Sequence, residues 1–350
     1  MRATVIHGTH DIRVDDVPDP SIIKPTDAIV KITASCVCGS DLWSYRGITP
    51  VEEPKRIGHE LVGVIEEVGS EVKTLKPGDF VIAPFATSDG TCVNCQHGMH
   101  TSCVNGSFFS AADKDGLIDG GQGEWARAPW ADGTLVKVPE MPDADMIPSL
   151  LTLSDVMGTG HHAAIAAGVK PGDRVVVVGD GAVGLSAVLA ASRLGAERII
   201  LMSRHADRQA IGKRFGATDI VEERGPDGIA RIQELLGGPG ADAALECVGT
   251  QESLEQAVGA TRPGGRVGYV GLPHAVSQVP IFQMFLTNVS LSGGIAPVRS
   301  YLDELLKDVL DGTIEPGLVF DLQLPLGEVA DAYAAMDERR SIKTLLWPGR

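Results

Sequence analysis

The sequence predicts an α/β protein built from two parts, a compact β domain and a doubly wound parallel sheet. Between about 150 and 290, apolar β-rich runs alternate with segments of helical character, which is typical of a parallel sheet covered by helices. A glycine-rich turn joins the first of these runs to the first helical segment. A chain of 350 residues is also long for a single core, so two domains are expected.

Short strands and turns account for residues 1 to about 150. The strands predicted in this part lie at 28–32, 61–68 and 80–82. The parallel sheet is predicted from strands at 175–178, 198–202, 243–247 and 266–270. The helices predicted between and after these strands lie at 183–194, 206–215, 227–236 and 252–260. In the tail we expect helices at 301–310 and near 328–337 and a closing strand at 342–346.

The glycine-rich turn predicts a dinucleotide site. Its residues are Gly179, Asp180, Gly181, Ala182, Val183 and Gly184. The first two glycines allow a sharp turn and a close approach to a pyrophosphate, and the third allows the helix to pack closely on the strand. The N-terminus of the helix adds free N–H groups and a positive dipole end. An ordinary βα turn with no ligand is the alternative.

The composition argues against several kinds of partner. The chain has 30 basic and 46 acidic residues, a net charge of −16, which disfavours nucleic acid and anionic membrane surfaces. No apolar run approaches the ~20 residues of a membrane span, and the N-terminal segment lacks the apolar stretch of a secretory signal. Three of the six cysteines fall between 92 and 103, which favours metal thiolates over disulfides and a reducing cytoplasm.

A first metal site is predicted from Cys38 and His59, two good zinc ligands. They are too far apart for a zinc finger, so the fold must bring them together. A catalytic zinc takes three protein ligands and keeps one position open, and Asp155 is the candidate for the third. The alternative is that Cys38 and His59 are unrelated.

A second metal site is predicted from Cys92, Cys95 and Cys103, whose spacing in a loop is a strong metal signal. Asp89 has the right offset for a fourth ligand, while His97 and His100 lie nearer and stay open as alternatives. With four protein ligands this site would be structural. Free surface thiols are the other interpretation.

These motifs resemble those of the zinc-dependent medium-chain alcohol dehydrogenases over nearly the whole chain. The strongest part is GHELVGVIEEVG at 58–69, followed by KPGDFV at 76–81, together with CGSD at 38–41, the cysteine loop and the glycine turn. The resemblance implies a GroES-like catalytic β domain, residues 1–150 and 290–350, interrupted by a Rossmann domain, residues 151–289. It also implies that the active site lies in the cleft between the two.

Carried over residue by residue, the resemblance implies a catalytic zinc bound by Cys38, His59 and Asp155. Glu60 matches a carboxylate that binds the zinc or stands behind it, and Asp41 matches one that orients the histidine. Ser40 matches the hydroxyl that takes the substrate proton. The family often has a relay histidine three residues after that serine, where this chain has Trp43, so Trp43 is expected to wall the substrate pocket. The cysteine loop departs from the family's four cysteines in having Asp89 first.

The cofactor is predicted to be NADP(H) rather than NAD(H). An NAD site has an acidic residue at the end of the second strand, about 20 positions past the first glycine. Here the strand is followed by Ser203 and Arg204, with Arg208 nearby, and these groups suit a 2′-phosphate. Solvated arginines at a helix start are the alternative. The resemblance adds Thr159 against the nicotinamide, Lys343 toward the cofactor phosphates, and backbone contacts from Val270, Leu272, Gly294 and Ala296.

The predicted reaction is reversible hydride transfer between an alcohol, or its aldehyde or ketone, and the nicotinamide, with zinc as Lewis acid and Ser40 passing the proton. A polyol, sugar or amino-alcohol dehydrogenase is a related alternative, and a non-catalytic dinucleotide-binding protein is a remote one. The pocket walls are expected from Trp43, Phe108, Phe109, Trp125 and residues near 285–296. Family members are dimers or tetramers, so a homodimer or homotetramer is expected.

Overall fold

The structure is a computed structural model that describes residues 1–113, 116–274 and 276–349. It divides into two compact units, Met1–Asp155 with Pro297–Arg350, and Val156–Ala296. The sequence analysis set the domain boundaries after residues 150 and 289 and so assigned Asp155 to the Rossmann domain, whereas the structure places it in the first unit. No helix among the described residues is long and apolar enough to span a membrane.

The first part of the first unit consists of short strands and short helices. Its strands are β1 (Arg2–Gly8), β2 (Asp11–Asp16), β3 (Ala28–Cys36), β4 (Lys55–Arg56), β5 (Leu61–Val68), β6 (Phe80–Ala83), β7 (Ala112–Asp113), β8 (Gly116–Leu117), β9 (Trp125–Ala128) and β10 (Val136–Lys137). Its helices are α1 (Asp41–Tyr45), α2 (Val93–Gln96), α3 (Ala131–Thr134) and α4 (Ile147–Thr152), with 3₁₀ turns at His100–Ser102 and Ala144–Met146.

The second unit alternates helices and strands. Its helices are α5 (Val156–Ala166), α6 (Ala182–Arg193), α7 (Ala206–Arg214), α8 (Gly225–Leu236), α9 (Gln251–Ala260) and α10 (Ile281–Thr287). Its strands are β11 (Arg174–Val178), β12 (Arg198–Met202), β13 (Asp219–Val221), β14 (Ala241–Glu246), β15 (Thr261–Tyr269) and β16 (Ser290–Gly293).

The C-terminal segment returns to the first unit. Its elements are α11 (Leu302–Leu310), β17 (Phe320–Pro325), α12 (Val329–Asp337) and β18 (Lys343–Trp347), with 3₁₀ turns at Val298–Tyr301, Pro316–Val319 and Leu326–Glu328. Strand β18 pairs antiparallel with β3 and parallel with β17, so the end of the chain completes the sheet that the first residues began.

The sheet of the first unit is mostly antiparallel, in the order β10-β6-β5-β3-β18-β17, with β9 also paired to β3. Two cores support it. One lies under β3, β5 and β9 and includes Ile32, Leu61 and Phe109, and the other packs β1 and α1 against α12. Because β3 and β5 are neighbouring strands, the loop that follows β3 and the loop that precedes β5 are held close together.

The sheet of the second unit has six parallel strands in the order β13-β12-β11-β14-β15-β16. One face, with Val176 and Ile200, packs on α8 and α9. The other face packs on α5, α6 and α7, and an added Cβ at Gly212 of α7 would meet Leu201 at 2.3 Å. The order reverses at β11 and β14, which creates the crevice where doubly wound sheets bind ligands. The predicted α/β architecture is therefore observed.

In the second unit, helices α5 and α10 and strands β13 and β16 were not predicted. Helix α5 is buried almost all round and contains glycines at positions 158 and 160, so its sequence has no amphipathic period that would reveal it. Gly160 is needed because an added Cβ would lie 2.5 Å from the backbone nitrogen of Ala187 in α6. The two helices approach at that point with no room for a side chain.

Gly160→Ala is therefore expected to lower the free energy of unfolding by about 1–3 kcal/mol, because α5 and α6 must move apart. Urea denaturation measures the change. Gly238→Ala is the control, since an added Cβ there meets only the Leu236 carbonyl at 3.9 Å. Equal stability of Gly160→Ala and the native chain would contradict this description of the helix contact.

Candidate active site and metal centres

The first unit brings Cys38, His59, Glu60 and Asp155 together, with one ligand atom from each lying within 4.8 Å of the others. Cys38 follows β3, the His59-Glu60 pair precedes β5, and Asp155 follows α4. The Asp155 Oδ2 atom is 3.8 Å from the Cys38 sulfur and 3.5 Å from His59 Nε2. Ligands about 2.0–2.3 Å from one tetrahedral zinc lie roughly 3.3–3.7 Å apart, so these donors fit zinc.

Asp41 connects the first two of these ligands. Its Oδ1 atom is 3.4 Å from His59 Nδ1, and its Oδ2 accepts a hydrogen bond from the Cys38 backbone at 3.0 Å. With Nδ1 engaged by a carboxylate, Nε2 is the ring nitrogen directed toward Asp155. This is the arrangement by which an outer carboxylate fixes the orientation of a metal-binding histidine.

Glu60 is fully buried and forms an ion pair with the fully buried Lys343. The Lys343 ammonium donates to Glu60 Oε1 at 2.6 Å and to the Val37 carbonyl at 3.3 Å. The expectation that Lys343 contacts the cofactor phosphates is wrong, because its ammonium is enclosed by these partners. The other oxygen, Glu60 Oε2, is buried and has no hydrogen-bond partner among the described residues.

The electrostatics of this cluster favour a bound cation. Burial raises the pKa of the Cys38 thiol and of the Glu60 carboxyl, although Lys343 opposes the shift at Glu60. Burial alone would lower the pKa of His59, but the charges of Asp41 and Cys38 outweigh it and raise that pKa well above its usual value. Acidic groups in a buried site need compensation, and a divalent ion that takes up the unpartnered Glu60 oxygen supplies it.

Aromatic side chains stand beside the cluster. Phe85, which follows β6, lies edge-on to the His59 ring with centroids 6.3 Å apart and stacks on Phe108 at 6.0 Å. Phe85 was not predicted, since nothing in its local sequence signals the contact. The expectation that Phe109 lines the pocket is wrong, because Phe109 is buried in the core under β3 and β5. Trp43 is half-buried on α1.

The second cluster joins Asp89, Cys92, Cys95 and Cys103, again within 4.8 Å. The Cys92 sulfur lies 3.5 Å from that of Cys95 and 3.9 Å from that of Cys103. Of the three candidates for the fourth ligand, the carboxylate of Asp89 is the one that joins the thiols. His100 instead contacts Ser300 through Nδ1 at 3.0 Å.

Hydrogen bonds hold the Asp89 carboxylate in place. Its Oδ1 accepts from the backbone of Thr91 and Cys92, at 2.7 and 2.9 Å, and its Oδ2 accepts from the Asn105 amide at 2.7 Å. Burial would raise the pKa of Asp89, but these donors outweigh it and hold the pKa well below its usual value. Backbone N–H groups of Cys95 and Val104 lower the pKa of the Cys92 thiol, which favours the thiolate that zinc binds.

In the second unit, the glycine turn lies at the carboxyl end of β11 and opens α6. Gly179 has a φ of +116°, a conformation that favours glycine, and an added Cβ at Gly184 would lie 2.1 Å from the Gly179 carbonyl. Gly181 precedes Ala182 and Val183 as the N-cap of α6, and a Cβ there would enter open space. The turn thus keeps room beside the helix N-terminus, which fits a pyrophosphate.

Asp180 of this turn binds two of the predicted phosphate ligands. Its Oδ2 accepts a hydrogen bond from the Ser203 hydroxyl at 2.7 Å, and its Oδ1 is 3.2 Å from Arg208 Nη1. Arg204 is exposed and donates through Nε to the Glu222 carbonyl at 2.9 Å. Arg224, which the sequence analysis did not identify, lies beside Arg204 and donates to the Met202 carbonyl at 3.3 Å.

The remaining predicted cofactor residues also belong to the second unit. Thr159 lies on α5, and the others follow the ends of parallel strands. Val270 donates to the Glu246 carbonyl at 2.9 Å and precedes the half-exposed Leu272. Gly294, with a φ of +121°, donates to the Tyr269 carbonyl at 2.8 Å, and Ala296 is buried. The ends of β15 and β16 therefore meet at the same edge of the sheet as the glycine turn.

Comparisons with known proteins agree with both units. Residues 24–143 match the model of the alcohol dehydrogenase GroES-like domain, and residues 182–311 match that of zinc-binding dehydrogenases. The chain is 35% identical to a probable zinc-binding alcohol dehydrogenase of Mycobacterium tuberculosis, over 97% of this chain and 86% of that protein. It is 33% identical to an uncharacterized zinc-type alcohol dehydrogenase-like protein of Bacillus subtilis, over 99% and 100%.

Among solved structures, an alcohol dehydrogenase from Thermus sp. ATN1 superposes with a TM-score of 0.91 at 32% identity, covering 99% of each chain. These matches confirm the predicted fold class, a GroES-like domain with an inserted Rossmann domain.

The two clusters predict two zinc ions per chain, bound independently. Elemental analysis should give about two zinc ions per chain for the native protein. It should give about one zinc ion per chain for either Cys38→Ser or Cys103→Ser. Loss of the ion at Cys103 should also lower the melting temperature, because a structural zinc contributes folding energy. A single ion in the native chain, or loss of both ions from either variant, would contradict the assignment.

Proposed function

This chain belongs to the zinc-dependent medium-chain alcohol dehydrogenase family, and from that membership we propose that it transfers a hydride reversibly between an alcohol and NADP(H). It is a zinc-type alcohol dehydrogenase by family. The observation that carries the proposal is the cluster of Cys38, His59, Glu60 and Asp155, which occurs in the same chain as a pyrophosphate-binding turn. A protein that only bound the dinucleotide would have no use for this buried ligand set.

When bound, zinc would polarise the substrate oxygen as a Lewis acid, and nicotinamide would exchange the hydride. Cys38, His59 and Asp155 would hold the ion, and Glu60, which pairs with Lys343 through one oxygen, would offer its other oxygen to the same cluster. Their orientation is fixed before substrate arrives, because they lie in short loops beside β3, β5 and α4 and because Asp41 contacts both His59 and the Cys38 backbone. Positioning of this kind accounts for a large part of catalysis.

Ser40 is proposed to pass the substrate proton. It lies two residues from Cys38, at the N-cap of α1, and is half-buried. Its side chain makes no capping hydrogen bond to the helix, so the hydroxyl is not engaged in helix capping. General acid–base help of this type contributes about 100-fold to 10,000-fold in rate.

The substrate is proposed to be an alcohol of medium size with an apolar body, or its aldehyde or ketone. Phe85 stands against the His59 ring and is itself stacked on Phe108. Trp43 lies on the helix that begins three residues after Cys38. Apolar walls around one polar anchor favour such a substrate over a polyol or sugar, which requires several hydrogen-bonding partners.

The proposed preference for NADP(H) is supported by positive charge at the end of β12. Arg204, Arg208 and Arg224 gather there, and Asp180 neutralises one of them. Two guanidinium groups therefore remain for a 2′-phosphate. The residues that directly follow β12, Ser203, Arg204 and His205, include no acid, whereas an NAD site has one there.

The protein is also proposed to act in the cytoplasm as a homodimer or homotetramer. All six cysteines are free, which suits a reducing compartment. On α10, Ile281, Phe282, Phe285 and Leu286 are 63–77% exposed, and an apolar group of this kind on a surface usually marks a protein contact.

Replacing a zinc ligand should abolish turnover without affecting cofactor binding. His59→Ala is expected to lower kcat by at least about 1,000-fold, because several kcal/mol of transition-state stabilisation are lost. Its dissociation constant for NADPH should stay within about twofold of the native value. His7→Ala, which breaks only a contact with Asp15, is the control. Turnover of alcohols by zinc-free protein would rule out the proposed role of the metal.

Arg204→Ala should shift the cofactor preference. Loss of a charge-assisted hydrogen bond to phosphate is expected to reduce kcat/KM for NADPH by about tenfold or more, with little change for NADH. Steady-state kinetics with both cofactors measures the ratio. Arg231→Ala is the matched control, since Arg231 pairs with Glu234 on the exposed face of α8. An unchanged ratio in Arg204→Ala would exclude Arg204 as the selecting residue.

A further inference from the structure

Gln122 lies fully buried behind the first metal cluster, and each end of its amide has a partner. Its Nε2 donates to the Cys36 carbonyl at 3.0 Å and to Asp41 Oδ2 at 3.2 Å, while its Oε1 accepts from the Tyr333 hydroxyl at 3.1 Å. These partners allow only one orientation of the amide. A rotated amide would direct its oxygen at a carbonyl and a carboxylate, which leaves buried acceptors facing one another.

The turn that carries His59 is packed directly on Gln122. Gly58, the preceding residue, has a φ of +98°, and a Cβ added to it would lie 2.4 Å from Gln122 Cγ. The Gly58 carbonyl accepts a hydrogen bond from the Gly121 backbone at 2.7 Å. Glycine is therefore required at position 58 because Gln122 occupies the space beneath it.

Asp41 is the link between Gln122 and the metal ligands. Its Oδ2 accepts from both Gln122 and the Cys38 backbone, so the carboxylate cannot rotate without losing these two bonds. Its Oδ1 then faces His59 Nδ1 at 3.4 Å. The orientation of the imidazole thus depends on a carboxylate that Gln122 fixes.

Tyr333 lies at the far end of this series of hydrogen bonds. It lies on α12, is fully buried, and packs against Tyr45 with ring centroids 5.4 Å apart. Its hydroxyl is the partner of the Gln122 carbonyl oxygen. Removing only the Tyr333 hydroxyl would leave the packing of the ring intact and take away the hydrogen bond that fixes the Gln122 amide oxygen.

We propose that Gln122 and Tyr333 are positioning residues for the metal centre. Through Asp41 they fix the His59 ring and the Cys38 backbone, and they set how slowly the cluster releases its ion. The proposal rests on the proposed function only in requiring that this cluster binds zinc. Neither residue is a member of the ligand cluster itself.

The test uses the zinc-loaded full-length protein and Gln122→Met, which keeps the length and shape of the side chain. Zinc release to an excess of a chromophoric chelator should proceed in two phases, one for each cluster. Release from the Cys38 cluster should be about threefold to tenfold faster in Gln122→Met, below the roughly 10-fold to 100-fold range of groups that touch a ligand directly. Release from the cysteine loop should stay unchanged, which provides an internal control.

Tyr333→Phe provides a second variant in case Gln122→Met fails to fold. It should accelerate release from the same cluster by about twofold to fivefold, because the amide keeps two of its three partners. The double variant should be no faster than Gln122→Met, since the two residues act in series. Tyr45→Phe is the matched control, a neighbouring buried tyrosine outside the chain of hydrogen bonds, and should release zinc at the native rate.

A second readout is the visible spectrum of the cobalt-substituted protein. A change in the His59 orientation should shift the absorption bands of cobalt at the Cys38 cluster in Gln122→Met and not in Tyr45→Phe. Native release rates together with native spectra in both folded variants would overturn the proposal, as would equal acceleration at the two clusters. A native chain that binds only the ion of the cysteine loop would overturn the proposed function as well.

Discussion

The need to compensate buried acidic groups dominates the first unit. Cys38, Glu60 and Asp155 converge on one point, Asp41 lies beside His59, and the buried Lys343 pairs with Glu60. Burial raises the pKa of the Cys38 thiol and of the Glu60 carboxyl, because the charged forms of these groups lose their hydration. A divalent ion bound at this point would resolve the conflict.

The second unit meets a different constraint, the close approach of backbone to backbone. Gly184 must lack a side chain for α6 to pack on the turn, and Gly160 must lack one for α5 to pack on α6. The same turn leaves open space at Gly181, where a diphosphate would lie against free N–H groups. One short segment would therefore serve packing on one side and ligand binding on the other.

Much of this could be predicted because the signals are local. The strand–turn–helix around Gly179 and the spacing of Cys92 and Cys95 each carry their meaning within a few residues. Cys38, His59 and Asp155 were first named for their residue types, and only the family resemblance gave a reason to join residues so far apart in sequence. Helix α10 and strand β16 were missed because their sequences are too short or too irregular for a clear period.

The contacts that the sequence did not reveal all join distant segments. Lys343 meets Glu60 across 283 residues and Tyr333 meets Gln122 across 211. Asp180 occupies a position of the glycine turn that the motif leaves unspecified, and only the structure shows that its carboxylate contacts Ser203 and Arg208. Phe85 and Gln122 likewise acquire a role only from what the fold places beside them, and no pattern of spacing or polarity contains that information.

The central claim, that this chain moves a hydride from the carbinol carbon of an alcohol to a nicotinamide, is tested most directly by isotope transfer. Zinc-loaded protein would be incubated with NADP⁺ and a panel of primary and secondary alcohols carrying deuterium at the carbinol carbon. Mass spectrometry of the reduced cofactor should show one deuterium in the nicotinamide ring for at least one member of the panel. Unlabelled or unreduced cofactor throughout the panel, with NAD⁺ as well as NADP⁺, would contradict the account.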